Sequence, residues 1–186
     1  MWINQYLRGE EGFGELTQEE RQLLRDLDTA TDGQLPDQTL YRSVDASAIF
    51  KGASETEIAN TLQALRYGEN SFGRGAYADS LREQTSRTLN NVIGKVQTEY
   101  GFMSTTSEKG IAADFGSFTG AENPVVMRID TKGIARGVNL SRYDANVSPD
   151  MAQKERLLAR GTSYKVNGIS VDRDKNIIID VELRGG

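Results

Sequence analysis

Gln153 and Glu155 stand two residues apart, directly before the apolar run Leu157-Leu158-Ala159. Positions i and i+2 of an extended strand share a side, so an amide and a carboxylate would project together into one cleft. That is a two-residue reaction site in outline, although such a pair also describes an exposed polar strand edge. Two further polar features lie upstream, each beside a predicted strand. In Leu40-Tyr41-Arg42-Ser43-Val44, Arg42 shares a strand face with Leu40 and Val44 and must find a partner or reach a cleft. An ion pair with an acid such as Asp45 is its plain structural reading. The stretch from Gly101 runs through Phe102 and Met103 into four consecutive hydroxyl residues, Ser104 to Ser107, a pattern that strand ends and helix caps also use.

The chain contains no cysteine and no histidine. Disulfides, thiol nucleophiles, Cys/His metal sites and every Ser-His or Cys-His arrangement are thereby excluded, so chemistry must rest on carboxylates, Arg/Lys, hydroxyls and amides. No Asp/Glu cluster has the spacing of a calcium loop, and no metal is expected. A net charge of −5 argues against general affinity for nucleic acid but leaves room for a local pocket that takes one phosphorylated ligand. The 186 residues suit a single domain over 1–186, large enough to bury about 70% of the surface its unfolded form exposes. With 37% hydrophobic and 26% charged residues the composition is that of a globular protein. No apolar run is long enough for a membrane span, and no signal-peptide pattern opens the sequence.

The elements that must position these residues begin with a short amphipathic helix over Trp2 to Arg8. Thr17 and Glu20 read as a capping box that opens a helix from Gln18 to about Thr29, with Leu16, Leu23, Leu24 and Leu27 on its buried side. Ser54 and Glu57 suggest a capped helix through about Arg66, and Tyr67 to Tyr77 reads as a connection. A longer helix is predicted from about Ala78 to Val96. Glu108 to Asn123, with Gly110, Gly116 and Gly120 among small residues, reads as a loop that could fold over a flat ligand. Strands follow at 125–129, 134–138, 156–159, 163–167 and 176–183, and Ile177, Ile178 and Ile179 in a row suggest burial on both faces. Helices first and strands after is the α+β order.

An aromatic-Arg strand, a hydroxyl-ended strand and a Q-x-E strand, in that order, resemble the Arg/Ser-Thr-Ser/Glu class of mono-ADP-ribosyltransferases, and within it the C3-like exoenzyme and VIP2-like toxin domains. The matching segments are Ile3-Asn4-Gln5-Tyr6-Leu7-Arg8, Leu40 to Asp45, Gly101 to Thr106, and Gln153 to Leu158, together spanning nearly the whole chain. The hydroxyl motif reads Ser-Thr-Thr rather than Ser-Thr-Ser. C3-like enzymes present an aromatic shortly before the Q-x-E pair, whereas here Asp150, Met151 and Ala152 stand there and the nearest aromatic is Tyr143. Recognition of Rho-type GTPases is therefore not part of what the resemblance implies.

The resemblance implies the ADP-ribosyltransferase fold, a helical lobe packed on two roughly perpendicular antiparallel sheets with NAD in the cleft between them. It implies that NAD is the co-substrate, that nicotinamide is released, and that ADP-ribose moves to a protein side chain. Glu155 would stabilise the ribose as positive charge develops, with Ser104 fixing its rotamer and Thr105 and Thr106 as helpers. Arg42 and Arg8 would hold the diphosphate, with Asn4 beside them. Phe115 or Phe118 would stack near the nicotinamide, and Gln153, with Tyr143, would face the protein substrate. Gln at 153 favours Asn or Gln as acceptor over arginine, because an amide complements an amide.

The expected protein is thus a toxin or phage effector acting as a monomer on a protein of a target cell. An immunity partner is compatible with it; a role for nucleic acid or membrane is not expected. Because the first motif begins almost at residue 1 with no secretion signal before it, a catalytic domain of a longer secreted or delivered protein, acting in the target-cell cytoplasm, is the expected context. Two alternatives stand beside it: an NAD glycohydrolase with water as main acceptor, and a non-catalytic NAD-binding module.

Overall fold

The computed structural model describes residues 2–10, 12, 14–118, 121–140 and 154–185. Gln153 and Tyr143 lie outside these residues, as do the side chains of Phe115 and Phe118. The helices are α1 (Trp2–Leu7), α2 (Gln18–Ala30), α3 (Glu55–Tyr67), α4 (Ala76–Asn90) and α5 (Lys109–Phe118). The strands are β1 (Thr39–Asp45), β2 (Val96–Glu99), β3 (Met103–Thr106), β4 (Pro124–Asp130), β5 (Gly137–Asn139), β6 (Glu155–Leu158), β7 (Thr162–Val171) and β8 (Ile177–Arg184).

Local sequence explains the helix starts. Thr17 Oγ1 accepts from the Glu20 amide while the Glu20 carboxylate accepts from the Thr17 amide, the reciprocal capping box that opens α2. Ser54 Oγ caps α3 by accepting from the Glu57 amide. The apolar stripe proposed for α2 is not buried. No residue of that helix is, and Leu23 is 41% exposed. Instead α2 is fastened by a bidentate ion pair, Arg160 Nε and Nη2 on the two oxygens of Asp28 at 2.8 Å each.

All eight strands join in the order β2-β7-β8-β4-β1-β3-β6-β5. Only one residue pair, Tyr41 with Thr106, joins β1 to β3. In place of the two antiparallel sheets that the resemblance implies, the strands form one mixed eight-stranded sheet, in which β2-β7-β8-β4-β1 and β3-β6-β5 meet only at that pair. Every ladder is antiparallel except β4 with β8, which runs parallel from Val126/Ile178 to Asp130/Glu182.

The main core lies on one face of the sheet, where Leu40, Met127, Ile129, Ile177, Ile179 and Val181 pack with Ile58 and Leu62 of α3. On the opposite face Val126 and Ile178 meet Ala112 of α5, with Tyr41 and Ala113 against them. The three isoleucines of β8 thus serve both cores, as their unbroken apolar run implies. Each such side chain stabilises the fold by about 1.5–3 kcal/mol relative to exposure.

Two connections differ from the sequence reading. The helix expected to run to Val96 ends at Asn90; Gly94 takes a φ of 82°, and residues 96–99 form the edge strand β2 on β7. A left-handed glycine ends the helical path, and the half-buried Gln97 amide, donating to the Ile49 carbonyl at 2.9 Å, rewards the extended form. The segment expected to be a loop, Glu108 to Asn123, contains α5. Packing of Ala112 and Ala113 on the second sheet face, and an ion pair from Lys109 Nζ to Asp172 Oδ2 at 2.9 Å, outweigh the helix cost of Gly110.

β5 approaches β6 so closely at Gly137 that an added Cβ would press on the Leu157 carbonyl and stand 3.1 Å from Leu158 Cα. Gly137→Ala is expected to lower unfolding stability by about 1–3 kcal/mol, measured by urea denaturation. Since the obstacle is the backbone of β6, hydrogen exchange should rise at Leu157 and Leu158 as well.

Candidate functional site

Strand register brings Ser104 and Glu155 together. Tyr41, Thr106 and Glu155 lie side by side across β1, β3 and β6, because Tyr41 pairs with Thr106 and Thr106 with Glu155. Ser104, two residues before Thr106, shares its side of the strand. Its hydroxyl crosses diagonally to Glu155, with Ser104 Oγ donating to Oε1 at 2.9 Å. Ser104 is exposed and Glu155 half-buried, so the carboxylate is anchored yet reachable from solvent. Alternation sends Thr105 to the other side, where its hydroxyl donates to the Arg156 carbonyl at 2.7 Å and fastens β3 to β6. Thr106 Oγ1 accepts from the Glu108 amide at 3.1 Å, ahead of α5.

Behind Glu155 the chain is fixed from both sides. The Lys154 carbonyl accepts from the Ser107 amide at 2.9 Å, and Lys154 Nζ lies 3.7 Å from Glu108 Oε1. The start of β6 is thereby tied to the exit of β3, which keeps Ser104 and Glu155 in register.

A second cluster is cationic, and no hydrogen bond or ion pair among the described residues joins it to Ser104 or Glu155. Arg42 is not paired with Asp45, whose carboxylate accepts from the Ser47 and Asn123 amides instead. The charges that act on Arg42 are those of Glu99, at the end of β2, and Arg8, just after α1. Burial holds the Arg42 guanidinium below its ordinary pKa, offset by Glu99 and reinforced by Arg8. Its Nη1 is buried without a hydrogen-bond partner among the described residues. A buried guanidinium N–H with no acceptor is a cost to the ligand-free fold. Arg8 binds Glu99 through both faces of its fork, Nε to Oε1 at 2.9 Å and Nη2 to Oε2 at 3.3 Å.

Asn4 has a different occupation from the one the sequence suggests. Its Nδ2 donates to the Phe102 carbonyl at 3.0 Å and its Oδ1 accepts from the Phe102 amide at 2.8 Å, so the side chain imitates a strand partner for the residue before β3. Glu99 was missed by sequence reasoning, which took the preceding helix to Val96 and read no strand over 96–99. The alternation of Val96 and Thr98 after Gly94 is the signal that could have revealed it. Among the described residues no group of three or more carboxylates gathers to hold a metal, and no helix is long and apolar enough to cross a membrane.

A sequence model described as ADP-ribosyltransferase exoenzyme matches residues 1–184. No curated protein sequence matches the chain closely enough to count as a relative. Among solved structures the chain is similar to the Clostridium limosum C3 exoenzyme, at 19% identity and a TM-score of 0.64, covering 99% of this chain and 78% of that one. C3stau2 from S. aureus, solved with NAD, is similar at 22% identity and a TM-score of 0.64, covering 98% and 80%. The enzymatic component C2-I of the C2-toxin from Clostridium botulinum is similar at 19% identity and a TM-score of 0.59, covering 98% of this chain and 40% of that one.

Proposed function

Because the chain belongs to the ADP-ribosyltransferase exoenzyme family, we propose that Glu155, held by Ser104, faces the nicotinamide ribose of NAD and that ADP-ribose is handed to an Asn or Gln side chain of a target protein. The family's activity is transfer of ADP-ribose from NAD to protein, and NAD is the co-substrate; the residue roles and the acceptor are the proposal. The observation that carries it is the 2.9 Å hydrogen bond from Ser104 to Glu155, which fixes a half-buried carboxylate at the start of β6.

In the reaction the bond from ribose C1′ to the ring nitrogen breaks and its electron pair leaves with neutral nicotinamide. No acid is needed for that departure, in keeping with a chain without histidine. Positive charge builds on the ribose as the bond lengthens, and Glu155, accepting a hydrogen bond from a ribose hydroxyl, lowers the energy of that state more than of the ground state. The acceptor nitrogen then bonds C1′ and loses its proton to solvent. Arg42 and Arg8 would hold the diphosphate, the unpartnered Arg42 Nη1 being the donor that fits it. Gln153, two residues before Glu155, would meet the acceptor amide with a donor and an acceptor of its own. The site of action would be the cytoplasm of a target cell, as suits a toxin of this family.

Incubation with labelled NAD and lysates, followed by mass-spectrometric mapping of the modified residue, tests this reading. Nicotinamide release together with label on Asn or Gln supports it. Release with no labelled protein in any lysate means that water is the acceptor and the enzyme an NAD glycohydrolase. Gln153→Ala separates the two halves of the reaction: transfer to protein is expected to fall by about tenfold or more while nicotinamide release into water stays within about threefold, since one interaction with the acceptor is lost. A parallel fall in both would remove the assignment of Gln153 to the acceptor.

A further inference from the structure

Arg8, Arg42 and the Ser104-Glu155 pair come from separate elements, yet one carboxylate touches or neighbours the route to all of them. Glu99 accepts both forks of Arg8, at 2.9 and 3.3 Å, and its Oε1 also accepts from the Gly101 amide at 2.8 Å. Its charge acts on Arg42, whose Nη1 is buried and without a partner among the described residues. Gly101 and Phe102 lead directly into β3 and hence to Ser104. The same turn is clasped from the other side by Asn4 of α1, through both amide atoms on Phe102, and a Cβ at Gly101 would come within 2.8 Å of Asn4 Oδ1. The turn from 99 to 102 is thus held to α1 by side chains at both ends, and Glu99 is its charged hub.

We infer that Glu99 is a positioning residue for the NAD site: it aims Arg8 and keeps the arginine pair in register with Ser104 through the 99–102 turn. Charge alone argues the opposite way, since an acid beside two guanidinium groups should repel a diphosphate. Its presence there is explained by geometry. Arg8 and Arg42 act on each other as like charges, and Glu99 offsets their repulsion while holding the Nε–Nη2 edge of the Arg8 fork. The two effects predict opposite signs for removing the charge. Electrostatic repulsion relieved would tighten NAD, whereas lost positioning would weaken it.

The inference rests on the diphosphate role given to Arg8 and Arg42 above. Calorimetric titration of NAD and of ADP into the full chain tests it, with wild type, Glu99→Gln, Arg8→Met and the double variant compared. Wild type should bind both ligands. Glu99→Gln should weaken each by about tenfold or more, the scale of a charge-assisted hydrogen bond. Arg8→Met should weaken each comparably, and the double variant should be no worse than either single change, because the two residues form one link. Unchanged or tighter binding by Glu99→Gln overturns the inference, as do losses that multiply in the double variant. Should Glu99→Gln fail to fold by circular dichroism, Arg8→Met alone decides, and undiminished affinity overturns it. A wild type that binds neither ligand removes the diphosphate reading itself and the inference with it.

Discussion

Replacing Glu155 by Gln is expected to reduce nicotinamide release and protein transfer together, by on the order of 10²–10³-fold or more, as for the loss of a group that stabilises transition-state charge. The change removes one charge and almost no volume. Ser104 Oγ, which now donates to Glu155 Oε1, can donate equally to an amide oxygen, so the β3-β6 register should persist. Glu155 is half-buried at the start of β6, outside both apolar clusters, and the melting temperature should stay within a few degrees. A rate loss without a stability loss identifies electrostatics as the cause. NAD affinity should change little, because the interaction strengthens only as the ribose acquires charge.

Arg42 should behave in the reverse manner, with a large effect on binding and a favourable one on the free protein. Its guanidinium carries a buried N–H that meets no acceptor among the described residues, a cost to the ligand-free fold. Arg42→Met removes that cost and retains much of the side-chain stem, so the ligand-free protein should melt at the same or a higher temperature. The rise in melting temperature that NAD gives the wild type, equivalent to about 2.7 kcal/mol at a hundredfold excess over Kd, should vanish. Arg42→Lys keeps the charge but loses the planar fork, and should weaken NAD by about tenfold or more. Thermal melts with and without NAD measure both outcomes. A destabilised ligand-free Arg42→Met would mean that Arg42 serves the fold.

The Ser104–Glu155 contact could be read from sequence because both residues lie where strand periodicity is a sufficient guide. Ser104 and Glu155 fall on β3 and β6, and alternation puts them on the same side once those strands pair. The same rule explains why Thr105 does not join them. Capping chemistry located α2 and α3 to within a residue or two, since Thr17, Glu20 and Ser54 act on their own neighbours. What was not legible depends on partners far along the chain. The helix expected to reach Val96 stops at Asn90, and residues 96–99 become strand because β7 offers an edge; with that strand comes Glu99, the acid that binds Arg8 across 91 residues. The Glu108–Asn123 segment, rich in glycine, becomes helical over α5 because the second sheet face and Asp172 receive it. The resemblance implies a place for Asn4 beside the ligand, whereas the Phe102 backbone, 98 residues away, takes up its amide.

The most direct measurement is a crystal structure of the Glu155→Gln variant, slowed enough to retain intact NAD. The nicotinamide ribose should lie with a hydroxyl within hydrogen-bond distance of the side chain at 155, itself still bonded to Ser104, and the diphosphate should meet Arg42 Nη1 and Arg8. NAD bound with its ribose away from residue 155, or with its phosphates on other side chains while Arg42 keeps its unpartnered nitrogen, would contradict the assignment of this site.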